Sequence, residues 1–232
     1  MALEKILAFG VHAYTSTGVL LAFYAALSLK DHNIQGFLIA LWLAVIVDAT
    51  DGALARRFDV KRVTPDFDGR RLDDIIDYIN YAFLPAIAFK IFGVLPDGLT
   101  WIAALPMLSS AYGFCQDQAK TQDSFVGFPS YWNIVFLYLY FFPMHPFWTA
   151  VILIGLSIMV FVPTHYIYPS QTRWLQKPTL VLSVVYGLLV GIICFFPKAP
   201  WIRGVVVFSL YYPIYYAVVS FLHHRRVHSN KK

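Results

Sequence analysis

Charge is scarce in this chain. Only 13% of its 232 residues are Asp, Glu, Lys or Arg, about half of what soluble domains carry. Cysteine is almost absent. Cys115 and Cys194 both fall in apolar runs, which excludes a disulfide framework and leaves two buried thiols as the plain reading. No Cys/His cluster stands near the acids, so nothing points to zinc. The apolar runs do not alternate in polarity at every second residue, which argues against a membrane β-barrel. No basic helix or aromatic-basic repeat of the nucleic-acid-binding kind occurs, so nucleic acid is not an expected partner. There is no low-complexity segment and no clear internal repeat. What the chain has instead is apolar length: 59% of its residues are hydrophobic and 18% aromatic.

A spanning helix needs roughly 20 mostly apolar residues. Uncharged runs cover Ile6–Leu29, Gly98–Gln116, Ser124–Thr172, Pro178–Pro197 and Gly204–His224. The 49 residues from Ser124 to Thr172 suffice for two spans broken at Pro143–Pro146. The expected fold is therefore all-α and polytopic, one membrane-embedded domain over residues 1–232. Eight spans are expected, near 6–29, 33–53, 72–94, 98–118, 130–143, 146–167, 177–197 and 200–222, or seven if the short fifth does not cross. The first run is too long for the apolar core of a secretory leader, and the segment before it has only Lys5 against Glu4.

The basic residues orient this plan. An even count puts both termini on one side. That side collects Lys5, Arg56, Arg57, Lys61, Arg62, Arg70, Arg71, Lys120, Arg173, Lys177, Arg225, Arg226, Lys231 and Lys232, which is 14 of the 18 basic residues. Lys30, Lys90, Lys198 and Arg203 lie opposite. The positive-inside rule then places both termini in the cytoplasm, together with the largest loop, about residues 54–71. The net charge of +5 suits anionic lipid headgroups.

The acids break the apolar pattern. Eight of the 13 lie between Asp48 and Asp77, and Asp48 follows sixteen uncharged residues, His32 to Val47. Ionisable groups at membrane depth are functional candidates. Asp48 and Asp51 are three apart, and Asp73 and Asp77 four apart, so each pair shares a helix face. If the two helices run antiparallel and meet at the cytoplasmic interface, the four carboxylates converge. Oxygen-only donors favour Mg²⁺, Mn²⁺ or Ca²⁺. Asp74 points about 100° away from Asp73 on a helix and is left out of this set. Gly52 and Ala55 on one side and Gly69 on the other leave little bulk, so a phosphorylated ligand can approach the backbone. Arg56 is a donor suited to phosphate.

This arrangement, Asp48-x-x-Asp51-Gly52-x-x-Ala55-Arg56 followed by Gly69-x-x-x-Asp73-x-x-x-Asp77, resembles the signature of the CDP-alcohol phosphotransferase family. Twelve residues separate Arg56 from Gly69, against eight in the general signature. The longer gap, the chain length, the eight expected spans and the stretch Gly127–Asn133 look like the bacterial branch of the family that makes phosphatidylcholine.

The resemblance implies transfer of the phosphatidyl group of CDP-diacylglycerol to an alcohol, choline by preference, with release of CMP, in a homodimer in the bacterial inner membrane. It implies that Asp48, Asp51, Asp73 and Asp77 hold Mn²⁺ or Mg²⁺, that Asp77 is also the catalytic base, and that Gly52, Ala55, Arg56 and Gly69 receive the nucleotide and its phosphates. Choline would need aromatic faces for its quaternary ammonium. Tyr78, Tyr81, Tyr112, Tyr131 and Trp132 are the candidates, unless they belong to an interfacial belt. Serine, glycerol phosphate or inositol phosphate as acceptor would instead use donors such as Lys120, Arg70 and Arg71, of which Lys120 and Arg70 read equally as lipid-surface anchors. A membrane prenyltransferase and a divalent-cation transporter are the remaining alternatives. His12, Tyr14, Thr15 and Ser16 in the first span either touch the nucleotide or bond neighbouring helices, and Asn133 is equally open. His223, His224 and His228 read as a solvated basic tail.

Overall fold

The computed structural model describes residues 2–116, 118–121 and 123–229. Lys231 and Lys232, which entered the charge count above, lie outside them, as does Asp117 in the expected fourth span. The first two helices, α1 (Ala2–Lys30) and α2 (Ile34–Arg57), form a tight hairpin. Its turn uses His32 at positive φ, and Asn33 caps α2 by accepting the Gly36 N–H at 3.0 Å. The seam is built of small residues. Ala8, Ala22, Ala25 and Ser28 are buried on α1, and Gly36, Ala40 and Ala44 on α2. A Cβ on Gly36 would stand 2.6 Å from the Ser28 hydroxyl. Between membrane helices it is close packing rather than hydrophobic burial that drives association.

The basic segment after α2 is shorter than expected. It contains the single turn α3 (Val60–Val63), and α4 (Gly69–Asp77) begins at the motif glycine, capped by Asp68, which accepts the Arg71 N–H. α4 runs without a break through a π-helical stretch, Tyr78–Phe83, into α5 (Leu84–Ile91). Pro85 explains the wider turn. A proline has no N–H, and its ring would press on the carbonyl four residues back, that of Tyr81. The helix widens ahead of it, so that the Leu84 N–H reaches Ile79 instead. The π segment starts directly after Asp77.

A 3₁₀ stretch (Asp97–Ala103) leads into α6 (Ala104–Phe114), and α7 (Trp132–Phe141), α8 (Pro146–Met159) and α9 (Gln176–Phe195) follow. The last apolar region is divided into α10 (Ile202–Ser209) and α11 (Tyr211–Ser229). Pro213 would press on the Ser209 carbonyl in a continuous helix, which accounts for the break. Four helical stretches are long and apolar enough to cross a membrane by length and composition: Ala2–Lys30, Ile34–Arg57, Gln176–Phe195 and Ile202–Ser229. Shorter apolar helices lie between them.

Two details depart from the all-α plan. The helix expected over 146–167 stops at Met159, and the chain then forms a short strand β2 (His165–Ile167) against β1 (Ser124–Val126). The pairing is antiparallel, with Phe125 opposite Tyr166. Gly127 makes the crossing possible. It sits at φ +84°, its N–H bonds the Thr164 carbonyl at 2.9 Å, and a Cβ there would lie 2.2 Å from the Val160 carbonyl oxygen. The ribbon docks on α11, where the Ser220 hydroxyl accepts the Ile167 N–H and the Tyr216 hydroxyl donates to the Ile167 carbonyl, both at 3.1 Å.

The core lies where α2, α5 and α7 meet. Phe136 stands edge-on to Phe37 and Phe89, with ring centroids 5.4 and 5.7 Å apart. Partly buried polar groups pair across helices: the Trp42 indole N–H donates to the Gly187 carbonyl at 2.8 Å, and Tyr138 shares a hydrogen bond with Ser209 at 2.9 Å. Large apolar side chains stay exposed along α1, α8, α9 and α11, among them Leu20, Ile158, Leu188 and Phe221. On a spanning protein these surfaces belong to lipid.

Candidate active site

α2 delivers Asp48 and Asp51, and α4 delivers Asp73 and Asp77. The hairpin with α1 brings the two helices side by side, and all four aspartates line one narrow cavity together with Thr15, Gly18 and Asn80. Oxygens of Asp48, Asp73 and Asp77 lie within 4.8 Å of one another. Asp51 turns one oxygen to the Thr15 hydroxyl, which donates at 2.8 Å. The Tyr81 hydroxyl donates to Asp48 at 3.2 Å. Asp51 and Asp77 are each 7% exposed.

Gly18 permits this closeness. A Cβ there would stand 2.6 Å from a methyl of Ile76, the residue before Asp77. Asn80, one turn beyond Asp77, donates to the Gly18 and Ile76 carbonyls at 3.2 and 3.1 Å, while its own carbonyl oxygen has no partner among the described residues.

The cluster is strongly electronegative. Its only nearby cation among the described side chains is Lys120, whose ammonium lies 3.5 Å from Asp73, 3.7 Å from Asp74 and 3.8 Å from Asp77. Burial disfavours that ammonium, but the surrounding carboxylates outweigh burial and hold its pKa above the usual lysine value. Lys120 is therefore neither a lipid anchor nor a free acceptor donor in this state. Asp74, set aside on helical geometry, is drawn into the network through Lys120, and it also faces Arg70 at 3.8 Å. The four carboxylates of the cavity against one ammonium leave a buried excess of negative charge that needs more cation. An oxygen-only, carboxylate-rich donor set fits Mg²⁺ or Mn²⁺, and the cavity between the acids is of ion rather than nucleotide size.

The remaining motif positions flank this cavity. A Cβ on Gly52 would meet only the Arg56 guanidinium, at 3.5 Å, so this face of α2 stays open. Arg56 is exposed and has no carboxylate partner among the described residues. Ala55 packs with Ala8, Val11 and Val60. Gly69 lies under His12, whose ring carbon would be 2.9 Å from a Cβ there. His12 is itself held by Thr64 at 3.1 Å and covered by Phe67 at 4.2 Å. Tyr14 bonds Thr50, and the Ser16 hydroxyl returns to the His12 carbonyl.

The aromatic candidates separate. Trp132 is fully buried, with its indole N–H on Ser110 at 2.8 Å. Tyr112 is half exposed and packs on Phe161. Tyr78 meets Phe114 edge-on. Tyr81 spends its hydroxyl on Asp48. Tyr131 belongs to a set that sequence reasoning missed. Phe125 on β1 lies 6.5 Å from the Tyr131 ring and 4.5 Å from Tyr168, and Tyr216 of α11 lies 5.8 Å from Tyr131. Burial pushes the Tyr168 hydroxyl's pKa up, and the charges of Lys120, Asp48, Asp73 and Arg56 all reach it. Tyr168 of this set is thus within electrostatic range of the carboxylates. Two histidines of the C-terminal helix are not part of a solvated tail: His223 is buried on Ser124, and His224 accepts the His165 N–H at 3.1 Å, while His228 is exposed.

Comparison with known proteins agrees with this chemistry. A family model described as CDP-alcohol phosphatidyltransferase matches residues 13–162, which include the whole acid cluster and Lys120. The chain is similar to a phosphatidylcholine synthase of Pseudomonas aeruginosa, 36% identical over 82% of this chain and 81% of the relative. A Legionella bozemanae protein of the same name is 37% identical over 78% of this chain and 93% of its own. Another, from Rhizobium meliloti, is 32% identical over 89% and 88%.

Proposed function

The chain is an enzyme of the CDP-alcohol phosphatidyltransferase family, and on that premise we propose that it transfers the phosphatidyl group of CDP-diacylglycerol to choline, giving phosphatidylcholine and CMP. The observation that carries the reading is the convergence of Asp48, Asp73 and Asp77, with Asp51 lining the same cavity. Family membership sets aside the prenyltransferase and the cation transporter. Choline is favoured over serine, glycerol phosphate and inositol phosphate by the names of the relatives and by the aromatic set around Tyr131.

In this reading Asp48, Asp51, Asp73 and Asp77 hold Mn²⁺ or Mg²⁺. Bound there, the ion neutralises charge on the diphosphate oxygens and on the departing CMP. Asp77 accepts the choline hydroxyl proton as that oxygen bonds to the phosphatidyl phosphorus and the bond from phosphorus to the CMP oxygen breaks. Thr15 and Tyr81 orient Asp51 and Asp48 by hydrogen bonds. Arg56 and the open face at Gly52, with Ala55 and Gly69, receive the nucleotide phosphates. Tyr131, with Phe125, Tyr168 and Tyr216, offers ring faces to the quaternary ammonium, each worth about 0.5–2 kcal/mol.

The whole chain, 1–232, acts as one membrane-embedded unit. Its eight crossings include the composite helix Gly69–Ile91 and the stretch Asp97–Phe114, and both termini and the site face the cytoplasm at the bacterial inner membrane. A homodimer rests on the family resemblance alone. The test is CMP release by purified protein from CDP-diacylglycerol with Mn²⁺ or Mg²⁺ across a panel of alcohols. Choline is expected to support release. Turnover with serine and none with choline would overturn the acceptor.

A further inference from the structure

Among the described side chains, one cation of the chain's own stands at the aspartate cavity, and it comes from neither α2 nor α4. The Lys120 ammonium lies 3.5 Å from Asp73, 3.7 Å from Asp74 and 3.8 Å from Asp77. All three distances exceed the roughly 2.7–2.9 Å of a charge-assisted hydrogen bond. The ammonium is shared among three acids and locked to none of them. Its side chain keeps 27% of its surface exposed, so another group can reach it.

The backbone that carries it is fixed. The Thr121 N–H donates to the Ser124 carbonyl and the Val126 N–H to the Ala119 carbonyl, both at 2.9 Å, and Lys120 pairs with Phe125 across this short ladder. Cross-strand partners share a face. Phe125 in turn meets Tyr131 and Tyr168. Lys120 thus links the strand that carries an aromatic ring to the carboxylates. From a fixed backbone, its flexible four-carbon stem still lets the ammonium move.

We propose that Lys120 is a catalytic residue whose ammonium binds the phosphate that is transferred. The proposal rests on the donor chemistry set out above. An anion approaches a cluster of buried carboxylates only where positive charge meets it. Arg56, on α2, serves the nucleotide end. Lys120 stands beside Asp77, the acid proposed to take the acceptor proton, and the reacting phosphate has to come close to that acid. A separation of 3.8 Å from Asp77 puts the ammonium within reach of the same phosphate. Once divalent ions balance the aspartates, the three N–H donors of Lys120 are free to turn to phosphate oxygens. A counter-ion with no other task would close on one carboxylate at ordinary hydrogen-bond length.

The test uses CDP and CMP as soluble probes of the purified full chain, at saturating Mn²⁺ and without an acceptor. Nothing turns over, and the choice of alcohol plays no part. CDP carries the phosphate that the lipid donor would transfer, and CMP lacks it. Lys120→Met is expected to weaken CDP binding at least about tenfold, the scale of a lost hydrogen bond to a charged group, and to leave CMP binding within about twofold. Lys120→Arg keeps the charge and is expected to recover most of the CDP affinity. Loosened packing would weaken both nucleotides alike, so the split between them separates a phosphate contact from a structural role. Unchanged CDP affinity in Lys120→Met, or an equal loss for both nucleotides, overturns the proposal and leaves the proposed function standing. Failure of the wild type to bind either nucleotide overturns both. Where Lys120→Met does not fold, acetylation of the wild type decides, mapped by mass spectrometry. CDP is expected to protect Lys120 beyond Mn²⁺ alone and CMP is not; equal labelling with the two nucleotides overturns the proposal.

Discussion

Two sets of aspartates lie within 30 residues of each other and differ in almost every physical respect. Asp59 and Asp68 sit on the basic loop, more than half exposed, each beside an arginine three residues on: Arg62 at 2.5 Å and Arg71 at 3.8 Å. Asp48, Asp51, Asp73 and Asp77 are drawn into one cavity, with no arginine on any of them and one lysine held between Asp73, Asp74 and Asp77. Exposed pairs of the first kind contribute little to stability. A buried acidic cluster of the second kind opposes folding until positive charge is supplied. Burial with inadequate counter-charge therefore separates the acids proposed to do chemistry from the acids that cover a surface.

The comparison is broken most severely at Asp77. Asp77→Asn is expected to lower CMP release at least about 10²-fold, the scale of a lost general base, while the protein still elutes and melts as the wild type does. A smaller loss would return Asp77 to the surface class. Lys120→Met comes next. It removes the internal cation and should tighten Mn²⁺ binding about tenfold or more, read by the loss of the free-ion EPR signal and independent of turnover. Unchanged Mn²⁺ affinity would mean that Lys120 does not compete for the site. The smallest effect belongs to Asp59→Asn and Asp68→Asn, which should leave CMP release within about twofold of the wild type. A large loss in either would erase the distinction between the two sets.

Much of the site was legible because its spacing is local. Separations of three and four residues decide which acids share a helix face, and a long apolar run before Asp48 marks the depth at which they begin. Asp74 was misjudged for the same reason: from its own helix it points aside, and only Lys120, which arrives from a loop more than 40 residues away, ties it to Asp73 and Asp77. The aromatic set could not be assembled from sequence. Phe125, Tyr168 and Tyr216 meet Tyr131 through two strands of three residues, too short to show an alternating pattern. The break at Pro213 and the π segment ahead of Pro85 each have a sequence cue, but proline announces a disturbance without saying which form it takes.

Composition and spacing alone determined that the chain is helical and membrane-embedded, and that four carboxylates sit in pairs on two helix faces. Those properties depend on neighbours a few residues apart. Tertiary structure decided which cation stands among the acids and which aromatic ring comes within electrostatic range of them. Each of these depends on segments distant in the chain meeting in space, and helical periodicity carries no information about that.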